Sequence, residues 1–355
     1  MTSQANCCKE FEVLLQFEFA KGENGVYQAA YRLCNSSMGW IFVNGSFTAP
    51  MKDFSSARLL VRGLDVGVKY LMDNVSLHEV PENVNWFGEA NANIDKYRKS
   101  NANMRFILPA GVRQSDFDVQ VKLKRHQFAF GSLIKDTLIT ATPATAYSQL
   151  VYHMFNWATV QSYKWKFDKG TLRRPDYSVA LQATDVLNSH GLKVRGHSIF
   201  FDFAKNNPKN IVKLGSRSLQ KEMDKHLMYM CNITFGKLAH WDVQNEHIRG
   251  QYYEETRKDT EVTKNIFRQV KQLVNNTKLY FNDVMGVLSG ASTEGLTQLM
   301  KQYLSEGVPV DGLGIQGHSK PYIKPDPTMI WRRLDRLAMT QLELFITEFD
   351  VLTPE

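Results

Sequence analysis

The spacing of apolar residues divides the chain into two parts that meet near residue 127. In the first part, short apolar runs alternate with Gly, Asn and Ser clusters, a pattern typical of short β-strands joined by turns. Strands are predicted over residues 11–19, 26–33, 40–47, 57–64 and 68–80. Several short strands at this spacing predict a small all-β sandwich domain over residues 1–82.

A change in composition follows at PENVNWFGEANAN, residues 81–93. We therefore predict that residues 83–126 form a linker that leads into the second part. Within this linker the pattern predicts a short helix at Ile94–Ser100 and a hairpin around Pro109.

From residue 127 onward, apolar strand candidates alternate with helical patterns such as YSVALQATDVLNSHG and TEGLTQLMKQYLSEG. The strand candidates are Phe128–Ser132, Val151–Trp157, Lys193–Phe201, Leu238–Gln244, Leu279–Asn282, Gly312–Gln316 and Leu344–Thr347. Strands that alternate with helices predict a parallel sheet, and seven repeats favour a closed barrel over an open sheet. We therefore predict an α/β domain of the (β/α)8 TIM-barrel class over residues 127–355.

The chain ends soon after the seventh predicted strand, at FITEFDVLTPE. A complete barrel would continue with a seventh helix, an eighth strand and an eighth helix. We therefore expect the barrel to be incomplete at its C-terminus, with its last βα units missing from this chain. The alternative, a naturally open barrel of seven strands, would leave two parallel edges unpaired.

Polar side chains follow five of the predicted strands at the point where each strand ends. They are His197, Asn245, Glu246, Asn282, Gln316, His318, Glu348 and Asp350. Each residue has a structural explanation when taken alone: His197 as a satisfied core histidine, Gln316 as a loop amide and Asp350 as a helix cap. In a TIM barrel, however, the carboxyl ends of the strands form the active-site face. Taken together, the strand ends predict a functional mouth.

Glu246 and Glu348 are the two candidates for chemistry at this mouth. Two opposed carboxyl groups suit glycoside cleavage, and in a double-displacement reaction they stand roughly 5–5.5 Å apart. One donates a proton to the leaving oxygen while the other attacks or stabilises the anomeric carbon. Asn245 is placed to hold a sugar hydroxyl, and His318 to keep a nucleophilic carboxylate ionised. The simpler alternative is that Asn245 caps a following helix.

The strand-end motifs resemble glycoside hydrolase family 10, the endo-β-1,4-xylanases. The motifs are RGHSIFF (195–201), WDVQNE (241–246), GIQGH (314–318) and ITEFD (346–350). The resemblance extends from about residue 120 to the end and includes the predicted helix with Met223 and His226. The residues before it look like a carbohydrate-binding module, most of all LMDNVSLHEV.

The resemblance implies a role for each of these residues. Glu246 would be the acid/base and Glu348 the nucleophile of a retaining mechanism. The substrate-binding residues would be Asn245, His197, Lys164, Gln316 and His318. The supporting residues would be Asp350, Trp241 and Asn282.

Three local departures from the family pattern concern the binding of the substrate. In VQSYKW (160–165), Gln161 and Ser162 stand roughly where Glu and Asn are expected. Phe201 and Asp202 replace a Trp-His pair, and Val284 replaces a Tyr. Each lost hydrogen bond to a sugar hydroxyl should weaken binding by about 1–3 kcal/mol.

The sequence is compatible with three hypotheses for the function. The first is a retaining, endo-acting hydrolase of β-1,4-xylan. The second is a hydrolase of β-1,4-glucan, and the third is a weakly active or non-catalytic polysaccharide-binding protein on the same scaffold. In each case the partner is a plant cell-wall polysaccharide, xylan or a related β-1,4-glycan, and no cofactor is expected.

Composition excludes other classes of partner. The net charge is +7, but basic residues are mixed with acidic ones, as in EETRKD (254–259), so nucleic-acid binding is not expected. No apolar run has the length of a membrane span, so no membrane partner is expected.

The cysteines and sequons bear on the compartment. The four cysteines, Cys7, Cys8, Cys34 and Cys231, lack the spacing of a metal site, so no metal is expected. Cys34 pairing with Cys7 or Cys8 would suit a secreted domain. Glycosylation sequons begin at Asn35, Asn44, Asn74, Asn232 and Asn275. The N-terminus lacks the apolar core of a signal peptide, so we expect a fragment of a secreted, extracellular precursor.

Overall fold

The computed structural model describes residues 9–34, 38–50, 52–64, 66–274, 276–284, 286–319 and 325–352. The first described residues form one antiparallel sheet with the order β2-β1-β3. Its strands are β1 (Lys9–Phe19), β2 (Asn24–Cys34) and β3 (Phe54–Arg62). The segments at 40–47 and 68–80 form no strand in their described residues, so the predicted sandwich is a single sheet here. Cys7 and Cys8 lie outside the described residues, so the predicted pairing with Cys34 stays a prediction.

Residues 66–130 connect this sheet to the second part of the chain. Helix α1 (Trp86–Arg98) lies at the predicted place but begins eight residues earlier than predicted. A turn follows at Pro109, where the backbone N–H of Val112 donates to the Pro109 carbonyl at 3.2 Å. No strands flank this turn in the described residues 99–130, so the hairpin prediction is correct only for the turn.

The second part contains a seven-stranded sheet whose neighbouring strands are all parallel and follow the chain in order. Its strands are β4 (Gly131–Leu133), β5 (Trp157–Val160), β6 (Lys193–Phe201), β7 (His240–Asn245), β8 (Lys278–Asp283), β9 (Gly312–His318) and β10 (Glu343–Asp350). The rings of Trp157 on β5 and Phe345 on β10 lie 5.2 Å apart, although the two strands are far apart in the sheet order. The sheet is therefore curled as in a barrel, with aromatic rings filling its interior.

Helices cover the outside of this sheet. They are α2 (Asp136–Ile139), α3 (Ala146–Met154), α4 (Ser178–Ser189), α5 (Lys209–Val212), α6 (Ser216–Ile233), α7 (His247–Gly250), α8 (Tyr252–Arg257), α9 (Val262–Leu273), α10 (Gly290–Ser305) and α11 (Pro327–Ala338). Within the part of the chain that the structure describes, no helix is both long and apolar enough to cross a membrane.

The strand prediction for Val151–Trp157 is wrong for most of its length. Helix α3 occupies residues 146–154, and the strand starts only at Trp157. The side chain of Thr145 caps this helix by accepting a hydrogen bond from the Ser148 N–H at 3.1 Å. A short apolar run fits a buried helix as well as a strand, so periodicity alone does not separate the two.

The N-terminal sheet packs directly on the barrel. Strand β2 lies against α10, and the side chain of Tyr31 enters the barrel's hydrophobic core. Its hydroxyl donates to the carbonyl of Ile248 in α7 at 3.3 Å. A Cβ on Gly295 of α10 would lie only 2.9 Å from the Tyr31 ring, so glycine is needed for this close approach. The sheet therefore covers a face of the barrel rather than standing apart from it.

Close packing between β6 and β7 gives a test of this fold. A Cβ added to Gly196 would lie 2.5 Å from the ring of the fully buried Trp241 and 2.8 Å from Leu238. Gly196→Ala should therefore destabilise the fold by about 1–3 kcal/mol, seen as a lower midpoint in thermal or urea unfolding. Gly215→Ala is the matched control, because its Cβ would meet nothing within 4 Å. Equal midpoints for the two variants would contradict this packing.

Candidate active site

An irregularity in β7 turns Asn245 toward the interior of the barrel. Asp242 contacts Arg195 on the interior face, and strict alternation would put residue 245 on the opposite face. The register with β8 shifts between Asp242 and Gln244, as at a β-bulge. Asn245 therefore points inward, where its Oδ1 accepts hydrogen bonds from Asn282 at 2.8 Å and from Gln316 at 3.3 Å.

Glu246 follows directly, at the tip of β7 and half-buried. Its backbone is left-handed, with φ 56° and ψ 48°, and its N–H donates to the Asn282 carbonyl at 2.9 Å. Gln316 Nε2 donates to its carboxyl at 3.4 Å. Burial, together with the nearby charge of Glu348, raises the pKa of Glu246, while Gln316, His197 and Lys164 oppose the shift. The environment thus favours a protonated Glu246.

Glu348 has a different environment, dominated by hydrogen-bond donors. Its Oε2 lies 2.7 Å from His318 Nε2, and Asn282 Nδ2 donates to its Oε1 at 3.4 Å. The other ring nitrogen of His318 lies 2.5 Å from Asp350, whose carboxylate also accepts from the Ser319 N–H at 2.8 Å. Burial alone would lower the pKa of His318, but Asp350 and Glu348 together raise it. His318 therefore bridges the carboxyl groups of Glu348 and Asp350.

Asn282 connects the two candidate carboxyl groups. Its amide donates to both Asn245 and Glu348, and its Oδ1 accepts from the hydroxyl of Thr347 at 2.6 Å. The side chain is fully buried. It therefore holds the ends of β7, β8 and β10 in one arrangement.

His197 is buried beneath this layer rather than open to the mouth. Its Nδ1 lies 2.7 Å from Asp242, which also forms an ion pair with Arg195. Burial would raise the pKa of Asp242, but Arg195 and His197 lower it below its ordinary value. The charges of His197 and Lys164 both act to lower the pKa of Glu246. Arg195 and Asp242 were not among the residues predicted for the site. Successive residues of a strand face opposite sides, so Asp242 faces the interior because its neighbour Trp241 faces the helices.

Lys164 lies close enough to both glutamates for its charge to interact with them. Burial lowers its pKa, and the charges of Glu348 and Glu246 act in the opposite direction. Its Nζ lies 5.5 Å from the ring centre of Phe201, the residue that replaces a family Trp. Lys164 and Phe201 therefore share one side of the mouth.

Trp241 does not join the site. It is fully buried among the side chains between the sheet and the helices, where its Nε1 donates to the hydroxyl of Thr234 at 3.3 Å. Asp202 is also turned away from the mouth, toward α7 and α8. At the end of β5, residues 161–163 form a short helical turn, and Ser162 lies close enough to Asp136 to oppose the rise in the pKa of Asp136 that burial causes. Apart from His197, which lies beneath it, the remaining predicted residues converge at the mouth.

A family model described as glycosyl hydrolase family 10 matches residues 120–355. Among curated proteins, the chain is 28% identical over 273 residues to the anti-sigma-I factor RsgI6 of Acetivibrio thermocellus, covering 77% of this chain and 35% of that protein. It is 26% identical over 319 residues to endo-1,4-beta-xylanase 1 of Arabidopsis thaliana, covering 88% of this chain and 32% of that protein. The chain thus spans about a third of the length of these relatives.

Solved structures show the same fold. The GH10 structure from Paenibacillus barcinonensis aligns with a TM-score of 0.57 and 22% identity over 64% of this chain and 71% of that one. Xylanase 10B from Thermotoga petrophila, in complex with xylobiose, aligns with a TM-score of 0.56 and 22% identity over 63% of this chain and 69% of that one. The TIM-barrel prediction and the resemblance are confirmed, and the chain belongs to glycosyl hydrolase family 10.

Proposed function

We propose that the protein is a retaining, endo-acting hydrolase of β-1,4-linked xylan. The observation that carries the proposal is the pair of glutamates at one mouth in unequal environments. Burial and a neighbouring charge raise the pKa of Glu246, whereas a histidine and an amide donate to Glu348. Two carboxyl groups at one mouth in such unequal surroundings suit the general acid and nucleophile roles of a glycosidase.

In the first step of this mechanism, Glu348 attacks the anomeric carbon while Glu246 gives its proton to the leaving glycosidic oxygen. The products are a covalent glycosyl ester on Glu348 and a free sugar hydroxyl. In the second step, Glu246, now ionised, takes a proton from water, and that water displaces Glu348, so that the two inverting steps together retain the configuration. His318 and Asn282 hold the Glu348 carboxyl by hydrogen bonds, and Lys164 and His197 stabilise negative charge on Glu246 after its proton has left.

The choice of xylan as substrate rests on the relatives. A curated relative is named an endo-1,4-beta-xylanase, and a structural neighbour was solved with xylobiose. A β-1,4-glucan is the second substrate to test, because it shares the linkage, and the proposed partner is a plant cell-wall polysaccharide. We also propose that the protein acts outside the cell. The three sequon asparagines that the structure describes, Asn44, Asn74 and Asn232, are exposed and therefore open to glycosylation.

The full-length protein should be assayed for reducing ends on xylan and on soluble cellulose, with the anomer of the first product followed by NMR. Release of β-anomeric xylo-oligosaccharides of mixed length supports a retaining endo-xylanase. Products of α-configuration would contradict the mechanism. Activity on cellulose alone would contradict the substrate.

A second candidate, polysaccharide binding without useful turnover, is favoured by the end of β5. Gln161 and Ser162 provide no carboxylate where the family pattern has one. One relative is also named as an anti-sigma factor rather than as a hydrolase. Calorimetry with xylohexaose on the full-length protein separates the readings. Tight binding without product supports the second candidate, and turnover excludes it.

A further inference from the structure

A buried cluster of charged side chains lies behind Glu246, on the outer side of the sheet. It consists of Asp202, His247, Glu254 and Asp283. None of these residues belongs to the mouth described above. His247 is the residue that follows Glu246 in the chain, so the cluster is joined covalently to the proposed acid/base.

Asp202 is the centre of this cluster. Its Oδ2 lies 2.5 Å from His247 Nδ1 and accepts from Gln244 Nε2 at 2.6 Å. Its Oδ1 accepts from the N–H of Tyr253 at 3.1 Å. A Cβ on Gly250 would lie 2.2 Å from the Asp202 carbonyl oxygen, so the turn also touches the backbone of Asp202. The chain after Glu246 therefore wraps around this one aspartate.

The surroundings of His247 favour its protonated form. Burial alone would lower the pKa of His247, but the hydrogen bond and charge of Asp202, with the charges of Glu254 and Asp283, raise it to about 9. The side chains of Asp202 and His247 are almost fully buried, at 0% and 3% side-chain exposure, so solvent does not compete for the contact.

A second carboxylate fixes the same segment from the other side. Asp283, at the end of β8, accepts from the N–H of Ile248 at 2.9 Å. The segment from Gln244 to Tyr253 is thus held by carboxylates at the ends of β6 and β8, the two strands that flank β7. Glu246 lies within this segment.

Such restraint matters because Glu246 is in a left-handed conformation. For a residue with a Cβ this conformation costs roughly 1–2 kcal/mol, and it persists only where the surroundings impose it. The hydrogen bond from Gln316 to the Glu246 carboxyl is long, at 3.4 Å, and gives little orientation. The position of the carboxyl must therefore come mainly from its backbone.

We propose that Asp202 and His247 are positioning residues that hold Glu246 for proton transfer to the leaving group. The proposal rests on the proposed function and extends it to residues outside the mouth. It also explains the departure at position 202, where the aspartate contacts the acid/base segment instead of the sugar.

The test uses Asp202→Asn and Gly250→Ala in the full-length protein. The first removes the charge from the pair, and the second disturbs the same contact without changing an ionisable group. Each variant is assayed on xylo-oligosaccharides, whose leaving group needs a proton, and on a dinitrophenyl xyloside, whose leaving group does not. We expect the rate on oligosaccharides to fall at least about tenfold more than the rate on the aryl xyloside, because small misplacements of a catalytic group cost about 10–100-fold.

Glu294→Gln is the matched control. Glu294 is a buried carboxylate paired with Arg336 at 2.7 Å on the outside of the barrel, so its loss disturbs stability but not Glu246. Its ratio of the two rates should equal that of the wild type. A wild-type ratio of the two rates in both Asp202→Asn and Gly250→Ala would overturn the proposal. A wild-type protein that is inactive on both substrates would refute the proposed function instead.

Hydrogen exchange tests the positioning independently of activity. Amides of residues 246–253 should exchange faster in Asp202→Asn, and in Gly250→Ala if the first variant folds poorly, while those of α3 stay unchanged. Exchange unchanged in residues 246–253 would overturn the proposal even for an inactive protein.

Discussion

Replacing Glu348 with Ala should lower the hydrolysis of xylo-oligosaccharides by on the order of 10⁴-fold or more, because the covalent route then has no nucleophile. Added azide should restore part of the activity on a dinitrophenyl xyloside. Azide then forms the bond to the anomeric carbon in place of Glu348, so the product is a glycosyl azide of inverted configuration. Product analysis by NMR gives the configuration directly.

Asp350→Asn is the control for this experiment. Asp350 contacts His318, which in turn contacts Glu348. Its loss should therefore lower the rate without making the rate dependent on azide. A Glu348→Ala protein that keeps most of its activity, or that yields a β-glycosyl azide, would show that Glu348 is not the nucleophile.

Replacing Glu246 with Ala should divide substrates by their leaving groups. The rate on xylo-oligosaccharides should fall by about 10²–10⁴-fold, the usual contribution of general acid catalysis, while the first step on a dinitrophenyl xyloside changes little. Pre-steady-state kinetics should then show a burst of dinitrophenolate, because the ester on Glu348 lacks its general base and accumulates.

The pH dependence provides a second signature of Glu246. Because burial and the charge of Glu348 raise its pKa, the proton needed for catalysis is kept to higher pH than in an ordinary glutamate. Wild-type activity on oligosaccharides should therefore fall as pH rises through this raised pKa, and Glu246→Ala should lose that limb. Equal losses on both substrate types, with the alkaline limb intact, would exclude Glu246 as the proton donor.

The position of the two candidate catalytic carboxyl groups could be predicted from the sequence because barrel strands deliver their last residues to one face. Glu246 and Glu348 were predicted from polar residues that end apolar strands, and this signal needs no knowledge of loop structure. The interior ion pair of Arg195 and Asp242 was missed because both residues lie within strands, where polar positions are difficult to distinguish from solvent-facing ones.

The β-bulge that turns Asn245 inward and the outward turn of Asp202 were beyond reach for another reason. Both depend on where a strand departs from regular alternation, and the register shifts in β6 and β7 leave no composition signal. Asp202 therefore looked like a lost sugar contact in the sequence, and only the packing of the turn after Glu246 shows its partners.

A sandwich was predicted for the N-terminal part, whose described residues form a single sheet. The prediction failed because a strand pattern does not identify what covers a sheet. A sandwich needs a second sheet over the apolar face, whereas here α10 lies against β2, and Tyr31 reaches the barrel core. Pattern alone cannot distinguish a face covered by strands from one covered by a helix.

The burial of α10 between two sheets has a consequence for how the protein unfolds. A module on a flexible tether melts independently of its neighbour, whereas parts that share a core lose structure together. Because Tyr31 belongs to the core of the barrel, loss of the N-terminal sheet would leave α10 and the turn at Ile248 exposed to water. Calorimetry should accordingly record one cooperative transition for the two parts, and the sheet and the acid/base segment would share a single folding equilibrium.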